Sequence, residues 1–217
     1  FAKQRTGKPI VVDKITPYPG TAASVVSQIR KLFPKSTIIQ LVRDGRDVLT
    51  SGTFDWLLKD AEGTERHAFF VDPKPGTRLR RFFDDAVIEK WAMNWRETIV
   101  AFEESSDQLQ LTYEQMKTDL PAELGRVFGL LGTDAAAVVA ERCADEVTFK
   151  KMTGRAAGEE QPTAKARKGI IGDWRNYFTR QDAELFDSLA GEQLVSLGYE
   201  PDREWIDRLP IELNLSR

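Results

Sequence analysis

The chain is poor in the residues that build thiol and zinc chemistry, holding one cysteine, Cys143, and one histidine, His67, among 217 residues. A lone cysteine excludes an internal disulfide and any cysteine-rich metal site, and one residue of each kind leaves a Cys-His dyad almost nothing to build from. Cys143 sits in Val138-Val139-Ala140-Glu141-Arg142-Cys143-Ala144, which reads as a helix, so a buried, inert thiol is expected. No run approaches the ~18 apolar residues of a transmembrane helix and no signal peptide is visible, so the default location is cytosolic. An excess of one charge is lacking too. With 31 basic against 34 acidic residues the net charge is −3, a balance that does not call for nucleic acid or an anionic membrane.

What is present is enough apolar surface for one core. At 41% apolar and 10% aromatic residues, positions 1–217 are expected to form one α/β domain. Pro9-Ile10-Val11-Val12-Asp13 reads as a buried parallel strand, and residues 21–33 as a helix capped by Thr21 and stopped by Pro34. A second strand over 37–42 leads after two or three residues into a helix over 45–58, the βα unit of a doubly wound sheet. Residues 59–81, with Asp72-Pro73-Lys74-Pro75-Gly76, have no clear period and read as a long loop of the kind that forms lids. A helix over 84–104 follows, with Val87, Trp91, Trp95 and Thr98 or Ile99 on one face. Then come a third strand over 109–113, helices over 120–131, 134–146 and 181–197, and a low-order segment over 154–166.

The positive charge is local. Residues 150–175 carry seven basic side chains against three acidic ones, which suits a small anion. Within them, Arg167-Lys168-Gly169-Ile170-Ile171-Gly172-Asp173-Trp174 packs two cations and two glycines beside a Trp. Guanidinium and ammonium groups supply charge-assisted donors, and glycines let the backbone come close to an anion. Arg43 stands at the carboxyl end of a strand with Ser51 two helical turns further on, at the sheet edge where ligands bind in open α/β folds. The plainer reading pairs Arg43 with Asp44 or Asp47 and leaves Ser51 on ordinary helix surface. Tyr113 at the next strand end is by its position alone a core aromatic with a satisfied hydroxyl.

Four segments in this order resemble the sulfotransferases that use 3′-phosphoadenosine 5′-phosphosulfate (PAPS). They are Arg43 with Ser51, Tyr113-Glu114-Gln115-Met116-Lys117, Thr148-Phe149-Lys150-Lys151-Met152, and Lys168-Gly169 through Gly172-Asp173-Trp174 to Phe178-Thr179. The resemblance implies an α/β fold, a parallel sheet flanked by helices, P-loop NTPase-like, with no metal. It implies that Arg43, Ser51, Arg167, Lys168 and Gly169 hold the 3′-phosphate, that Tyr113 and Phe149 frame the adenine, and that Trp174 is a structural anchor under the loop. Val147 stands where the family often has a Thr. The family's Lys-containing loop for the 5′-phosphosulfate has no counterpart: Phe33-Pro34-Lys35-Ser36-Thr37 precedes a strand and has no glycine. The chain is therefore expected to start downstream of that loop, as a fragment lacking the first strand, loop and helix.

Asp13-Lys14-Ile15-Thr16-Pro17 resembles the Asp-Lys-(Thr/Ser)-Pro sequence of bacterial members. There Asp13 would accept the acceptor's proton and Lys14 would stabilise the sulfuryl oxygens, unless the two simply form a strand-end ion pair. His67 is a weaker candidate, carried by the long loop. Arg78, Arg80 and Arg81 read as a helical charge cluster, solvated or facing an anionic acceptor. The implied activity is sulfuryl transfer from PAPS to a hydroxyl or amine of a small-molecule or glycan acceptor, whose pocket would come from residues 54–81 and 154–166. A nucleotide or small-molecule kinase and a silent PAPS-binding module are the rivals. The family's dimer segment is represented by Arg175, Thr179, Arg180 and Glu184. Arg180 replaces an apolar Val there, which speaks against that dimer, and the oligomeric state stays open.

Overall fold

The computed structural model describes residues 10–59, 62–70, 74–103, 108–133, 137–161, 164 and 166–216. In chain order the elements are α1 (Ala22–Leu32), β1 (Ile38–Val42), α2 (Gly45–Lys59), α3 (Glu65–Phe70), β2 (Arg78–Leu79), α4 (Asp85–Glu103), β3 (Gln108–Thr112), α5 (Tyr113–Thr118), α6 (Leu120–Leu130), α7 (Ala137–Glu146), α8 (Phe149–Thr153), a 3-10 turn (Asp173–Asn176), α9 (Arg180–Ser196), a second 3-10 turn (Glu204–Arg208) and β4 (Leu215–Ser216). The expected α/β class holds: β1 and β3 pair in parallel, Ile38 opposite Gln108 through Val42 opposite Thr112, with helices packed against them. That register brings the carboxyl ends of both strands, and so Arg43 and Tyr113, to one edge.

Local chemistry explains the element boundaries near that edge. Thr112 caps α5 by accepting from Gln115 N–H, Asp119 caps α6 ahead of Pro121, and Thr148 caps α8, which Gly154 ends in the left-handed conformation. At α9, Thr179 and Asp182 form a reciprocal capping box. The core is aromatic: Phe54, Phe70, Phe82 and Tyr177 pack together with ring centroids 5.0–6.2 Å apart, and Trp174 meets Phe178 and Trp205 edge-on. Helix α4 is the central prop, in contact with α1, α2 and α9. At Gly52 any Cβ would meet the Trp91 ring at 2.3 Å, so this glycine permits the close approach of α2 and α4.

Five expectations fail. Ile10 to Asp13 is not a strand, and Ile10, Val11 and Val12 are exposed; Pro9 lies outside the described residues. β-branched composition favours extended backbone but supplies no ladder partner, and neither described sheet includes this run. The stretch 59–81 is not all loop. Phe69 and Phe70 of α3 are buried among the aromatics, and β2 pairs antiparallel with β4 near the other end of the chain, a partner no local period announces. Arg78 is consequently on a strand; Arg80 follows it and pairs with Glu212, while Arg81 pairs with Asp85 and, at 2.7 Å, with Asp182. The buried face of α4 is Ile88, Ala92, Trp95 and Ile99, rotated from the expected one because β-branched Val87 and the large Trp91 sit at its margin. Cys143 is exposed, since α7 turns only Ala140 fully inward.

Candidate functional site

Arg43 leaves the end of β1 with its carbonyl held by Trp95 Nε1 at 2.9 Å and its guanidinium 4.6 Å above the Tyr113 ring. One edge of the guanidinium faces Asp47, Nη2 to Oδ2 at 3.6 Å, and the buried Nε makes no hydrogen bond among the described residues. The plainer pairing is thus half realised, with Asp47 and not Asp44. Asp44 is committed to Arg46, whose guanidinium is only 1% exposed, lies 3.8 Å from the Trp174 ring centroid and 4.5 Å from that of Trp205, and also meets Glu200 at 2.6 Å. Burial raises the Tyr113 phenol, against the opposing charge of Arg43.

Arg43, Ser51, Phe54, Trp91, Ala164 and Arg167 line one cleft of about 370 Å³. Ser51 is exposed on α2 and opens onto it. Arg167 stacks 4.0 Å over Phe54 and pairs with both Glu160 and Asp173. Lys168 Nζ reaches the other oxygen of Asp173 at 2.9 Å. Burial would raise the Asp173 carboxyl, but the charge of Arg167 and the hydrogen bonds from Lys168, Arg167 and Asn176 hold it below the usual range.

Gly169 follows with φ +65°, and a Cβ there would meet the Phe149 ring at 2.4 Å. No L side chain fits that backbone and that contact together. Phe149 opens α8, with Lys117 and Arg155 at 5.7 and 5.4 Å from its ring centroid. Arg155 also ties the loop together by donating to the carbonyls of Glu159 at 2.7 Å, Arg167 at 2.8 Å and Ala166.

The structure therefore gathers Arg43, Ser51 and Arg167 on one cleft, sets Tyr113 under Arg43, and joins Lys168 and Gly169 to Phe149 through the loop. Trp174 is buried as an anchor. It does not bring in Asp13 or Lys14: both are exposed, neither lines the cleft, and Asp13 Oδ1 accepts the Lys14 N–H at 2.9 Å. His67, half-buried in α3, does not line it either. Sequence reasoning missed Arg155, Asp173 and Asp47 as organisers. Arg155 was legible only as one charge among seven. The roles of the two aspartates depend on contacts across the fold.

Residues 25–198 match the family described as sulfotransferase domain, and the chain belongs to that family. It is 28% identical over 188 residues to Sulfotransferase 2A1 of Homo sapiens, covering 78% of this chain and 62% of that protein. Against Sulfotransferase 2A6 of Mus musculus it is 27% identical over 216 residues, covering 93% and 71%. The chain thus spans less than two thirds of the length of the human relative. Among solved structures, mouse sulfotransferase SULT7A1 complexed with PAP superposes with a TM-score of 0.55 at 22% identity, over 84% of this chain and 64% of that one, a likeness of fold. Among the described residues no helix is long and apolar enough to cross a membrane.

Proposed function

We propose that this chain, read as one domain over 1–217, binds PAPS through its 3′-phosphate and supports sulfuryl transfer to a hydroxyl or amine of a small acceptor, in the cytosol and without a metal. The observation that carries the reading is that Arg167, remote in sequence, lines the same cleft as Arg43 and Ser51. The donor set fits a phosphate. Arg43 keeps a buried Nε without a hydrogen bond among the described residues, and Arg167 brings a second guanidinium to the same cleft.

When bound, PAPS supplies the sulfuryl group and the bisphosphate leaving group. The protein's part is positioning and charge stabilisation. Arg43 and Arg167 would hold the 3′-phosphate, Ser51 would add a hydroxyl, and Tyr113 and Phe149 would offer ring faces to the adenine. Arg167 is already paired with Glu160 and Asp173, so it would have to share its donors between them and the phosphate. Asp13 and Lys14, proposed to move the acceptor proton and to stabilise the transferred group, do not line the cleft.

The test is unfolding temperature with adenosine 3′,5′-bisphosphate (PAP) against adenosine 5′-phosphate at equal concentration. At a hundredfold excess over the dissociation constant, binding stabilises the folded state by ~2.7 kcal/mol. A shift with PAP alone is expected. Equal shifts would point to a general nucleotide site of the kinase kind, and no shift with either would sink the reading.

A further inference from the structure

Asp47 joins Arg43, at the end of β1, to the turn that follows the Arg167 to Gly169 loop. Its side chain is 0% exposed, in the first turn of α2, and its two oxygens are divided between distant partners. Oδ2 accepts the Gly172 N–H at 2.8 Å and faces Arg43 Nη2 at 3.6 Å, while Oδ1 accepts the Trp174 N–H at 3.0 Å. The amides of Gly172 and Trp174 open the 3-10 turn over Asp173–Asn176, where Gly172 has a left-handed φ of +76° and no side chain of the turn itself serves as cap. A carboxylate far away in sequence takes that office. Asp173, between the two held residues, is buried and pairs with Arg167 and Lys168.

We infer that Asp47 is a positioning residue for anion recognition, setting Arg43 against the Arg167 to Gly169 loop so that their donors converge on one phosphate. The inference rests on reading the cleft as the 3′-phosphate site. The chemistry is that of a carboxylate acceptor facing three donors, and no neutral side chain of this size satisfies all three. In Asp47→Asn the amide NH₂ would have to face a backbone N–H or the guanidinium, so Arg43 or the turn must move. The Asp47 side chain is fully buried and does not line the cleft. Its effect should therefore be felt by the 3′-phosphate and hardly by the rest of the ligand.

The experiment is calorimetric titration of wild type, Asp47→Asn and Asp47→Ser with PAP and with adenosine 5′-phosphate, well below the unfolding temperature of each. Serine retains one acceptor for the turn and removes the charge, which guards against a variant that does not fold. Expected is a roughly tenfold weaker affinity for PAP with adenosine 5′-phosphate nearly unchanged, so that the ratio between them collapses. A purely structural carboxylate would lower the unfolding temperature and leave that ratio alone. Retained discrimination in the folded variants would overturn the role of Asp47 and spare the proposed function. Wild-type protein that does not distinguish the two nucleotides would overturn both.

Discussion

Arg43 and Arg46 stand three residues apart in one Arg-Asp-Gly-Arg segment and have opposite fates. Arg46 is saturated: it lies against two indoles, is paired with Asp44 and Glu200, and is sealed from water. Arg43 is 27% exposed, stacked on one ring, 3.6 Å from the Asp47 carboxylate, and left with a donor unused among the described residues. The same side chain thus serves as a core strut in one place and as a ligand hand in the other. What separates them is the number of donors the fold has already occupied, since an arginine with none to spare has nothing to offer an anion.

The sharpest way to break the comparison is to remove each arginine and ask which property falls. Arg46→Ala leaves two buried carboxylates without their counter-charge, and should cost about 3–5 kcal/mol of unfolding free energy in a urea titration. A loss under ~1 kcal/mol would show that Arg46 is no strut. Arg43→Gln should weaken PAP binding about ten- to a hundredfold in a calorimetric titration, from loss of a charge-assisted contact of ~1.5–3 kcal/mol. Its unfolding free energy should change by less than about 1 kcal/mol, because Asp47 keeps two backbone donors. The reverse pattern, stability lost and affinity kept, would exchange the roles of the two residues.

Titration with acid sharpens the contrast by a smaller amount. Asp173 has its pKa held below the ordinary aspartate value of 3.8, so it adds stability that is fully present above that value and fades as pH falls through the folded pKa. Asp47 has its pKa raised above 3.8, chiefly by burial, so its ionisation costs stability as pH rises from 3.8 through the folded value. Urea midpoints measured from pH ~3 upward should therefore fall more gently on acidification in Asp173→Asn than in wild type, and more steeply in Asp47→Asn. Parallel curves for all three proteins would remove both carboxylates from the charge network.

Much of this was legible in the chain. The βα unit at residues 37–58 is announced by a short apolar strand and a tight turn, and Thr21 does precede a helix, although its hydroxyl donates to the Tyr18 carbonyl and makes no capping bond. The strand expected at Ile10 to Asp13 and the loop expected over 59–81 went the other way for one reason. A strand exists only where a partner lies beside it, and β2 found β4 while Ile10 to Asp13 found none. Cys143 and the true face of α4 were missed because helical period tells which residues share a side, and the neighbouring helices decide which side is covered.

By itself the sequence determined the βα unit at residues 37–58, the local concentration of positive charge, and the residue types suited to an anion at a strand end and in a glycine loop. Those follow from interactions within a few residues, where backbone preference and spacing suffice. Only the tertiary structure decided that Arg43 is open and Arg46 closed, that Arg167 shares a cleft with Ser51, and that Asp47 fastens the turn at Gly172 to Trp174. These depend on which distant groups satisfy a buried charge first, and that competition is resolved only when the chain has packed.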